Sequence, residues 1–270
     1  MLKEIESELK GFEAVLFDMD GVIYIEDSLI EGSKEVIQSL RSRGKKLAFL
    51  TNNSTRTRGD YTQKLADLGL DCAKSEVMTS AYATSLRLSE KAEGKTCYVV
   101  GEEGLKRELE KAGFEILPRG EAERASFVVV GMDRGLNYEK IWGGLTALLS
   151  GADFIATNPD TTYCTREGLA PGAAASIGAL SATAEREPSE IVGKPSPFML
   201  KASLDILNVS PQKAAIVGDR IDTDIKAGKE LGLTTILVLT GVDSRQDLEE
   251  VKDTELEPDF VLSSIDDFPR

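Results

Sequence analysis

The sequence predicts an α/β protein whose parallel sheets belong to two units. Apolar runs such as AVLFD at 14–18 and AAIVG at 214–218 alternate with segments that carry helical spacing. Strands that are apolar on both faces occur in parallel sheets covered by helices. More than ten such elements follow one another in 270 residues, which is many for a single sheet. We therefore expect two α/β units.

Each predicted element follows from its local pattern. The segment 33–44 places Val36, Ile37 and Leu40 at helical spacing and ends at a glycine, which is typical of an amphipathic helix. Similar spacing predicts a helix that begins near Ser80 and others over 58–68, 102–112, 138–150, 197–207 and 223–231. Apolar runs predict strands over 14–20, 46–52, 96–101, 114–117, 126–132, 153–158, 190–194, 214–219, 234–241 and 259–264.

The composition excludes several classes of function. The net charge is −14 and no large basic block is present, so most of the surface repels nucleic acid. The chain has no histidine, which removes histidine bases, histidine-dependent nucleophiles and histidine-ligated zinc. Catalysis must therefore rest on carboxylates, lysine, hydroxyl groups, a hard metal ion or a cofactor.

The same composition predicts a cytoplasmic location. No apolar stretch approaches the ~20 residues that cross a bilayer, and MLKEIESELKGFEA is acidic where a signal peptide is basic and then apolar. Cys72, Cys97 and Cys164 are odd in number and widely spaced, which fits neither a disulfide framework nor a CxxC metal site. We expect a reduced protein that binds neither membranes nor nucleic acid.

Polar side chains of complementary chemistry follow four of the predicted strands. Ligands of open α/β sheets bind beyond the carboxyl ends of the strands, so these positions form the candidate site. They are Asp18 and Asp20 after AVLF, Thr51, Asn52 and Asn53 after LAFL, Lys194 after IVG, and Asp219 after AAIVG with Asp224 one helical turn beyond. Taken singly, each is explained equally well as a helix cap, a turn or a solvated loop residue.

The combination of these residues predicts a site for a metal ion and a phosphate. Several carboxylates at one sheet edge repel one another unless a cation joins them, and ligands that are all oxygen suit Mg²⁺. The amides and hydroxyl of 51–53, with the ammonium of Lys194, are donors for an anion with several oxygens. Together these groups describe phosphoryl transfer, for which an aspartate carboxylate is a known nucleophile.

The chain resembles phosphatases of the haloacid dehalogenase (HAD) superfamily. The motifs stand in the family's order: DMDGV from Asp18, TNN from Thr51, GKPSP around Lys194, and the pair Asp219 and Asp224 in GDRIDTD. TNNS, GKPSP and GDRxxTD are similar to the NagD-like or 4-nitrophenylphosphatase-like branch, which carries a large C2-type cap. The resemblance runs almost from end to end and implies a Rossmann-like, parallel-sheet HAD core.

The resemblance implies roles for the acidic residues. Asp18 resembles the nucleophile that attacks phosphorus. Asp20 resembles the general acid that protonates the leaving oxygen and later the base that activates water. Mg²⁺ would be held by the side chains of Asp18 and Asp219 and by the backbone carbonyl of Asp20, with Asp224 orienting this shell.

The resemblance also implies where the rest of the substrate binds. Thr51 and the amides of residues 52–53 would hold phosphate oxygens, and Lys194 would offset the charge of the phosphoryl group. Cap loops would contact the leaving group. The polar stretch 158–163 is the candidate loop, with Asn158 and Tyr163 as the substrate-contacting residues, although its Asn-Pro dipeptide is equally typical of a plain turn.

The spacing of the motifs predicts a core divided by an insertion. The interval from Thr51 to Lys194 contains its own strands and helices. We expect a discontinuous HAD-like catalytic core at 1–80 and 185–270 and an inserted α/β cap domain at 81–184. The two connections would form a hinge, and closure would exclude water. The resemblance is compatible with a homodimer formed through this cap.

The leading hypothesis is a Mg²⁺-dependent phosphomonoester hydrolase that acts on small soluble phosphates and 4-nitrophenyl phosphate. A phospho-accepting regulatory module also collects aspartates, threonine and lysine at a sheet edge, but it needs no cap and lacks an acid two residues after its nucleophile. A catalytically idle family member used for binding is a third interpretation. A phosphotransferase or mutase would share the site and differ in water access.

Overall fold

The computed structural model describes residues 5, 7–8, 10–91, 94–165 and 167–269. Its internal contacts divide the described chain into two compact units. The first unit takes its residues from Met1–Thr51, Tyr61–Met78 and Pro195–Arg270, and the second from Asn52–Asp60 and Thr79–Lys194. The assignment of 81–184 as a cap and of 1–80 with 185–270 as a catalytic core stays a prediction.

The described strands and helices alternate over most of the chain. The strands are β1 (Ala14–Asp18), β2 (Tyr24–Ile25), β3 (Ser28–Leu29), β4 (Lys46–Thr51), β5 (Val77–Thr79), β6 (Thr96–Val100), β7 (Glu115–Ile116), β8 (Phe127–Val130), β9 (Asp153–Ala156), β10 (Thr162–Thr165), β11 (Gly168–Pro171), β12 (Glu190–Ile191), β13 (Ala214–Gly218), β14 (Thr234–Val238) and β15 (Phe260–Leu262). The α-helices are α1 (Ser33–Ser42), α2 (Arg58–Asp67), α3 (Ser80–Lys91), α4 (Glu103–Lys111), α5 (Tyr138–Leu149), α6 (Ala173–Ala184), α7 (Phe198–Leu207), α8 (Lys226–Leu231) and α9 (Arg245–Glu250). None of these helices combines the length and apolar character needed to cross a membrane.

A parallel sheet forms the centre of the first unit. Among the described residues its order is β15-β14-β13-β1-β4-β5, and β1 pairs in parallel with both β13 and β4. Val15 and Phe17 of β1 belong to the same apolar core as the buried face of α1, while α7 packs against β1 and β4. Every residue of β1 is buried, which explains why its sequence is continuously apolar up to Asp18.

The second unit contains a separate parallel sheet. Its order within the described part of the chain is β12-β9-β8-β6-β7, and every neighbouring pair is parallel. Val100, Val130 and Phe154 form its core with Leu180 of α6. Helix α5 packs against β6 and β8. The antiparallel hairpin β10–β11 follows β9.

The predicted fold class is confirmed, because helices and parallel strands alternate in both units. Several elements lie outside the predictions: the hairpin β2–β3, the strand β5, the hairpin β10–β11 and the helices α6 and α9. The segment predicted as a helix over 223–231 begins instead with a single π-helical turn, Ile221–Ile225, and continues as α8.

One predicted strand lies in a different sheet from the one expected. The pattern over 190–194 predicts a core strand, but only β12 forms, and it pairs with β9 in the second unit. The next residues continue along the same edge, since the N–H groups of Val192 and Gly193 donate to the carbonyls of Ala156 and Thr157 at 3.0 and 2.8 Å. The expectation that Lys194 follows a strand of the sheet that carries Asp18 is therefore wrong.

Candidate active site

Three strands of the first unit bring predicted site residues to the carboxyl edge of one sheet. Asp18 is the last residue of β1 and is paired with Leu50 of β4, so Thr51 lies one residue further along that edge. Phe17 is paired with Val217 of β13, so Asp219 lies just beyond the same edge. The parallel register therefore places these polar groups together where ligands bind in open α/β sheets.

Asp18, Asp219 and Asp224 form a cluster of buried carboxylates. One oxygen from each residue lies within 4.8 Å of one oxygen of the other two. The three residues are 8%, 3% and 1% exposed. Carboxylates this close and this buried repel one another unless positive charge lies among them.

Two loops enclose the carboxylate of Asp219. The N–H of Val242 donates to its Oδ2 at 2.8 Å. A Cβ on Gly21 would come within 2.6 Å of that oxygen, and a Cβ on Gly241 would overlap it. The hydroxyl of Thr240 donates to the carbonyl of Gly21 at 2.6 Å and joins the two loops. Glycine at both positions therefore lets the backbone approach the carboxylate closely.

The π-helical turn after β13 directs Asp224 towards the same edge. The N–H groups of Asp224 and Ile225 donate to the carbonyl of Arg220 at 3.0 and 3.2 Å. The N–H of Arg220 in turn donates to Oδ2 of Asp224 at 3.3 Å. Asp222 of the same turn is exposed and pairs with the Arg220 guanidinium. The turn thus separates a buried acid from an exposed one two residues away.

Asp20 lies in the turn after β1 and is exposed. The turn is closed by the N–H groups of Ile23 and Tyr24, which donate to the Met19 carbonyl at 2.9 and 3.2 Å. The buried Tyr24 hydroxyl donates to Oδ2 of Asp20 over 3.3 Å. Burial, and next the charge of Asp20, raise the pKa of Tyr24 well above its usual range. The phenol therefore stays protonated at neutral pH and presents a donor to Asp20.

The donor set of the first unit fits a hard divalent cation. The three clustered side chains supply only oxygen, and the glycines at 21 and 241 leave room for the loops to close on one of the carboxylates. Carboxylates of this number, with no histidine in the chain, match the ligand preference of Mg²⁺ rather than that of zinc. The predicted metal ligands Asp18 and Asp219 both belong to this cluster.

The second unit holds the predicted phosphate-binding residues Asn52, Asn53 and Lys194. The side-chain nitrogen of Asn52 donates to the carbonyl of Lys194 at 2.9 Å, and both residues are buried. Oδ1 of Asn53 accepts from the N–H and hydroxyl of Thr55 at 2.9 and 2.7 Å, which closes an Asx turn. The side chains of these asparagines therefore shape the loop that follows β4.

The predicted specificity residues lie around β10. Asn158 is buried, and its Oδ1 accepts from the Thr157 hydroxyl at 2.8 Å. Tyr163 lies in β10 rather than in a turn and is partly buried against the apolar core of the second unit. Asp160, between these two residues, accepts from the side chain of Asn52 at 3.0 Å. Neither Asp160 nor Tyr24 follows an apolar run directly, so strand-end reasoning does not select them.

The first unit thus defines a class of protein: a parallel α/β enzyme with a carboxylate cluster suited to a metal ion at the carboxyl edge of its sheet. Sequence comparison gives the family. Residues 15–115 match the model of the Haloacid dehalogenase-like hydrolase family, and residues 191–268 match that of HAD-hydrolase-like proteins. The chain belongs to the haloacid dehalogenase-like hydrolase family, and it is a phosphatase of that family.

Individual relatives cover almost the full chain. The chloroplastic phosphoglycolate phosphatase 1A of Arabidopsis thaliana is 38% identical over 99% of this chain and 79% of its own length. The acid sugar phosphatase of Staphylococcus aureus (strain USA300) is 35% identical over 96% of this chain and 97% of its own. The resemblance to NagD-like and 4-nitrophenylphosphatase-like proteins is confirmed, since solved structures with these names are 35–38% identical to this chain.

Solved structures share the fold. The p-nitrophenyl phosphatase from Archaeoglobus fulgidus superposes with a TM-score of 0.87 at 38% identity, covering 95% of this chain and 97% of that one. A glycerol phosphate phosphatase from Mycobacterium tuberculosis, solved in complex with magnesium, gives a TM-score of 0.88 at 27% identity, covering 96% of this chain and 78% of that one.

Proposed function

We propose that this phosphatase is a Mg²⁺-dependent phosphomonoester hydrolase that works through a phosphorylated Asp18. The observation that carries the proposal is the buried cluster of Asp18, Asp219 and Asp224 at the carboxyl edge of the sheet. A relative with the same fold was solved with magnesium, and the relatives are named as phosphatases.

The proposed reaction has two steps that use the two aspartates of DMD. An oxygen of Asp18 forms a bond to phosphorus while the bond from phosphorus to the ester oxygen breaks, and Asp20 gives its proton to the departing oxygen. Water then attacks phosphorus, Asp20 accepts a proton from that water, and the bond from Asp18 to phosphorus breaks to release inorganic phosphate. Both aspartates return to their starting states.

The neighbouring groups divide the remaining tasks. Asp18 and Asp219, with the backbone carbonyl of Asp20, would hold Mg²⁺, and Asp224 would orient these ligands. The ion would supply positive charge that stabilises the phosphoryl oxygens in the transition state. Tyr24 holds the carboxyl group of Asp20 by its hydroxyl.

The phosphate itself would be bound by donors from the segment after β4 and from Lys194. The hydroxyl of Thr51 and the main-chain amides of Asn52 and Asn53 would donate to its oxygens, and the Lys194 ammonium would offset its charge. The second unit, with Asn158 and Tyr163, would act as the cap that selects the leaving group. The second unit contains residues 81–184, the range for which the sequence predicts the cap.

The substrate class follows from the relatives. Their names refer to phosphoglycolate, acid sugar and 4-nitrophenyl phosphates, so we place the substrate among small phosphorylated metabolites. The proposed location is the cytoplasm. A homodimer through the second unit is also proposed, because Tyr138 and Trp142 of α5 are 77% and 50% exposed and could pack against a partner. Sedimentation of Trp142→Glu, expected to be monomeric, tests the dimer.

Hydrolysis assays test the function. Wild type, Asp18→Asn and Asp222→Asn are compared on 4-nitrophenyl phosphate and on a panel of glycolate, sugar and glycerol phosphates, with Mg²⁺ and with EDTA. Asp222 is a matched control because it is an exposed acid in the turn that carries Asp224. We expect Mg²⁺-dependent release of phosphate by wild type and Asp222→Asn and a loss of roughly 10⁴-fold or more in Asp18→Asn. Turnover that survives EDTA, or an active Asp18→Asn, would contradict the proposal.

A further inference from the structure

The side-chain amide of Asn52 joins two distant parts of the second unit. Its nitrogen donates to Oδ1 of Asp160 at 3.0 Å and to the carbonyl of Lys194 at 2.9 Å. Asn52 is 8% exposed and Lys194 2% exposed. Both hydrogens of the amide are therefore committed in a place that water reaches poorly, where losing either bond is costly.

The orientation of this amide follows from its neighbours. Both partners of the nitrogen are acceptors, so the flipped amide would point its oxygen at a carboxylate and at a carbonyl. In the orientation that avoids this, Oδ1 of Asn52 is buried and has no hydrogen-bond partner among the described residues. A Cβ on Gly193 would come within 2.7 Å of this oxygen. This orientation therefore satisfies both N–H groups of the Asn52 side chain at the expense of Oδ1, for which the described residues offer no donor.

Each end of this connection is fixed by other bonds. The backbone carbonyl of Asp160 accepts from the N–H of Ala174 in the first turn of α6 at 3.0 Å. The backbone carbonyl of Asn52 accepts from the Ser80 hydroxyl at 2.5 Å. Gly193, next to Lys194, donates to the Thr157 carbonyl. The two hydrogen bonds of the Asn52 side chain thus link two loops that other hydrogen bonds hold in place. One of the two ends at the main-chain carbonyl of Lys194.

We propose that Asp160 is a positioning residue for Lys194, acting through the side chain of Asn52. The inference rests on the proposed function, in which the Lys194 ammonium offsets the charge of the phosphoryl group. Asp160 holds the amide of Asn52, the amide holds the carbonyl of Lys194, and the lysine main chain fixes where its ammonium begins. Asn52 then contributes only its main-chain N–H to phosphate, because its side-chain donors are used.

This assignment differs from a substrate contact in a measurable way. A residue that touches the leaving group changes activity by an amount that depends on the leaving group. A residue that acts through Lys194 changes the rate by the same factor for every ester. It also loses its effect once Lys194 is absent, because the two changes act on one interaction.

The test compares Asp160→Ala, Asp160→Asn, Asn52→Ala and the double variant Asp160→Ala/Asn52→Ala with wild type. Asp153→Ala, an exposed aspartate at the start of β9, is the matched control. We expect Asp160→Ala to lower kcat by about 10–100-fold for 4-nitrophenyl phosphate and for phosphoglycolate alike, with KM changed by less than about threefold. Asp160→Asn keeps an oxygen acceptor for Asn52 and should restore kcat to within about threefold of wild type.

Two further measurements complete the test. The double variant should be no slower than the slower single variant, and in a Lys194→Ala background Asp160→Ala should change kcat by less than about twofold. Titration calorimetry with inorganic phosphate should show about threefold weaker binding to Asp160→Ala and wild-type affinity for Asp160→Asn. Thermal melting confirms that each variant compared is folded.

The outcomes separate this inference from the proposed function. An active wild type whose Asp160→Ala variant is unchanged in both kcat and phosphate affinity would overturn the positioning role alone. A rate loss that differs by more than about tenfold between esters, or persists undiminished in the Lys194→Ala background, would also overturn it. A wild type that neither hydrolyses phosphomonoesters nor binds phosphate would overturn the proposed function and the inference with it.

Discussion

The two units build the same kind of parallel sheet but end their strands in different chemistry. In the first unit the strands β1, β4 and β13 lead into Asp18, Thr51 and Asp219. In the second unit β6 and β8 lead into Gly101 and Gly131, which carry no side chain, and β9 leads into the uncharged Thr157 and Asn158. The two units have the same kind of sheet, and the side chains at its carboxyl edge decide whether that edge can hold a metal ion.

Buried acids also differ between the units. Asp219 of the first unit lies within reach of two further carboxylates. Asp133 of the second unit is equally buried, but both of its oxygens accept from the ammonium of Lys140, at 2.8 and 2.7 Å, and one accepts from the N–H of Gly135 at 3.0 Å. Three grouped acids indicate a cation site, and a single buried acid that accepts from a lysine does not.

The largest effect is expected when the acid cluster itself is broken. Asp219→Asn removes one charge from the proposed metal ligands and should lower kcat/KM by about 10³-fold or more, because the ion contributes several kcal/mol to the transition state. We expect Mg²⁺ to raise the melting temperature of wild type and not that of Asp219→Asn, since a ligand stabilises the folded state by an amount that grows with the ratio of its concentration to its Kd. Steady-state kinetics and thermal melts with Mg²⁺ or EDTA measure both. If Mg²⁺ still raised the melting temperature of Asp219→Asn, the proposed difference between the acids of the two units would be contradicted.

The matching change in the second unit should affect stability instead of catalysis. Asp133→Ala removes a buried carboxylate and leaves the ammonium of Lys140, whose side chain is only partly buried, without this partner. We expect about 2 kcal/mol less free energy of unfolding. Urea denaturation measures the loss, and kcat per folded molecule should stay within about twofold of wild type. A large drop in kcat of folded Asp133→Ala would contradict the assignment of the second unit's buried acid to stability alone.

A smaller effect is expected at the tyrosine that faces the acid/base residue. Tyr24→Phe removes one hydrogen bond to Asp20 and should lower kcat by about 2–10-fold, which corresponds to a net hydrogen bond of about 0.5–1.5 kcal/mol. Tyr98→Phe is the control, since Tyr98 is a buried tyrosine of β6 in the second unit. Kinetics on esters with good and poor leaving groups measure the difference. Equal kcat values for Tyr24→Phe and Tyr98→Phe would contradict a role of Tyr24 in the active site.

The smallest effect is expected at a surface ion pair of the second unit. The hydrogen bond from Arg134 holds the pKa of Glu102 below its usual range. Burial acts in the opposite direction and is the smaller effect. Because the pKa is lowered on folding, the pair stabilises above the unfolded pKa of about 4.3 and loses this contribution as the pH falls through the lower folded value. Glu102→Gln should therefore cost no more than about 1 kcal/mol at pH 7. The difference from wild type in urea melts should shrink towards pH 3, and a constant difference would contradict this.

Sequence reasoning predicts the parts of the molecule in which one local pattern decides the structure. AVLFD and AAIVG specify buried strands, and the acids that follow them, Asp18 and Asp219, lie close together in the structure. The helix α6 is different, because AAASIGALSATA carries no charged residue and so presents no contrast between a polar and an apolar face. The strand β12 has two residues, too few for its pattern to show which sheet it joins. The proposed role of Asp160 depends on its hydrogen bond with the side chain of Asn52, a residue far away in the sequence.

Chemical trapping of the phosphorylated residue tests the central claim most directly. Wild type is mixed with substrate and Mg²⁺, quenched during turnover and reduced with borohydride, which converts an aspartyl phosphate to homoserine, and the position is read by peptide mass spectrometry. The account predicts homoserine at position 18, formed only when substrate is present and absent from Asp18→Asn. Continued turnover with no label at position 18, or a label at a different residue, would contradict it.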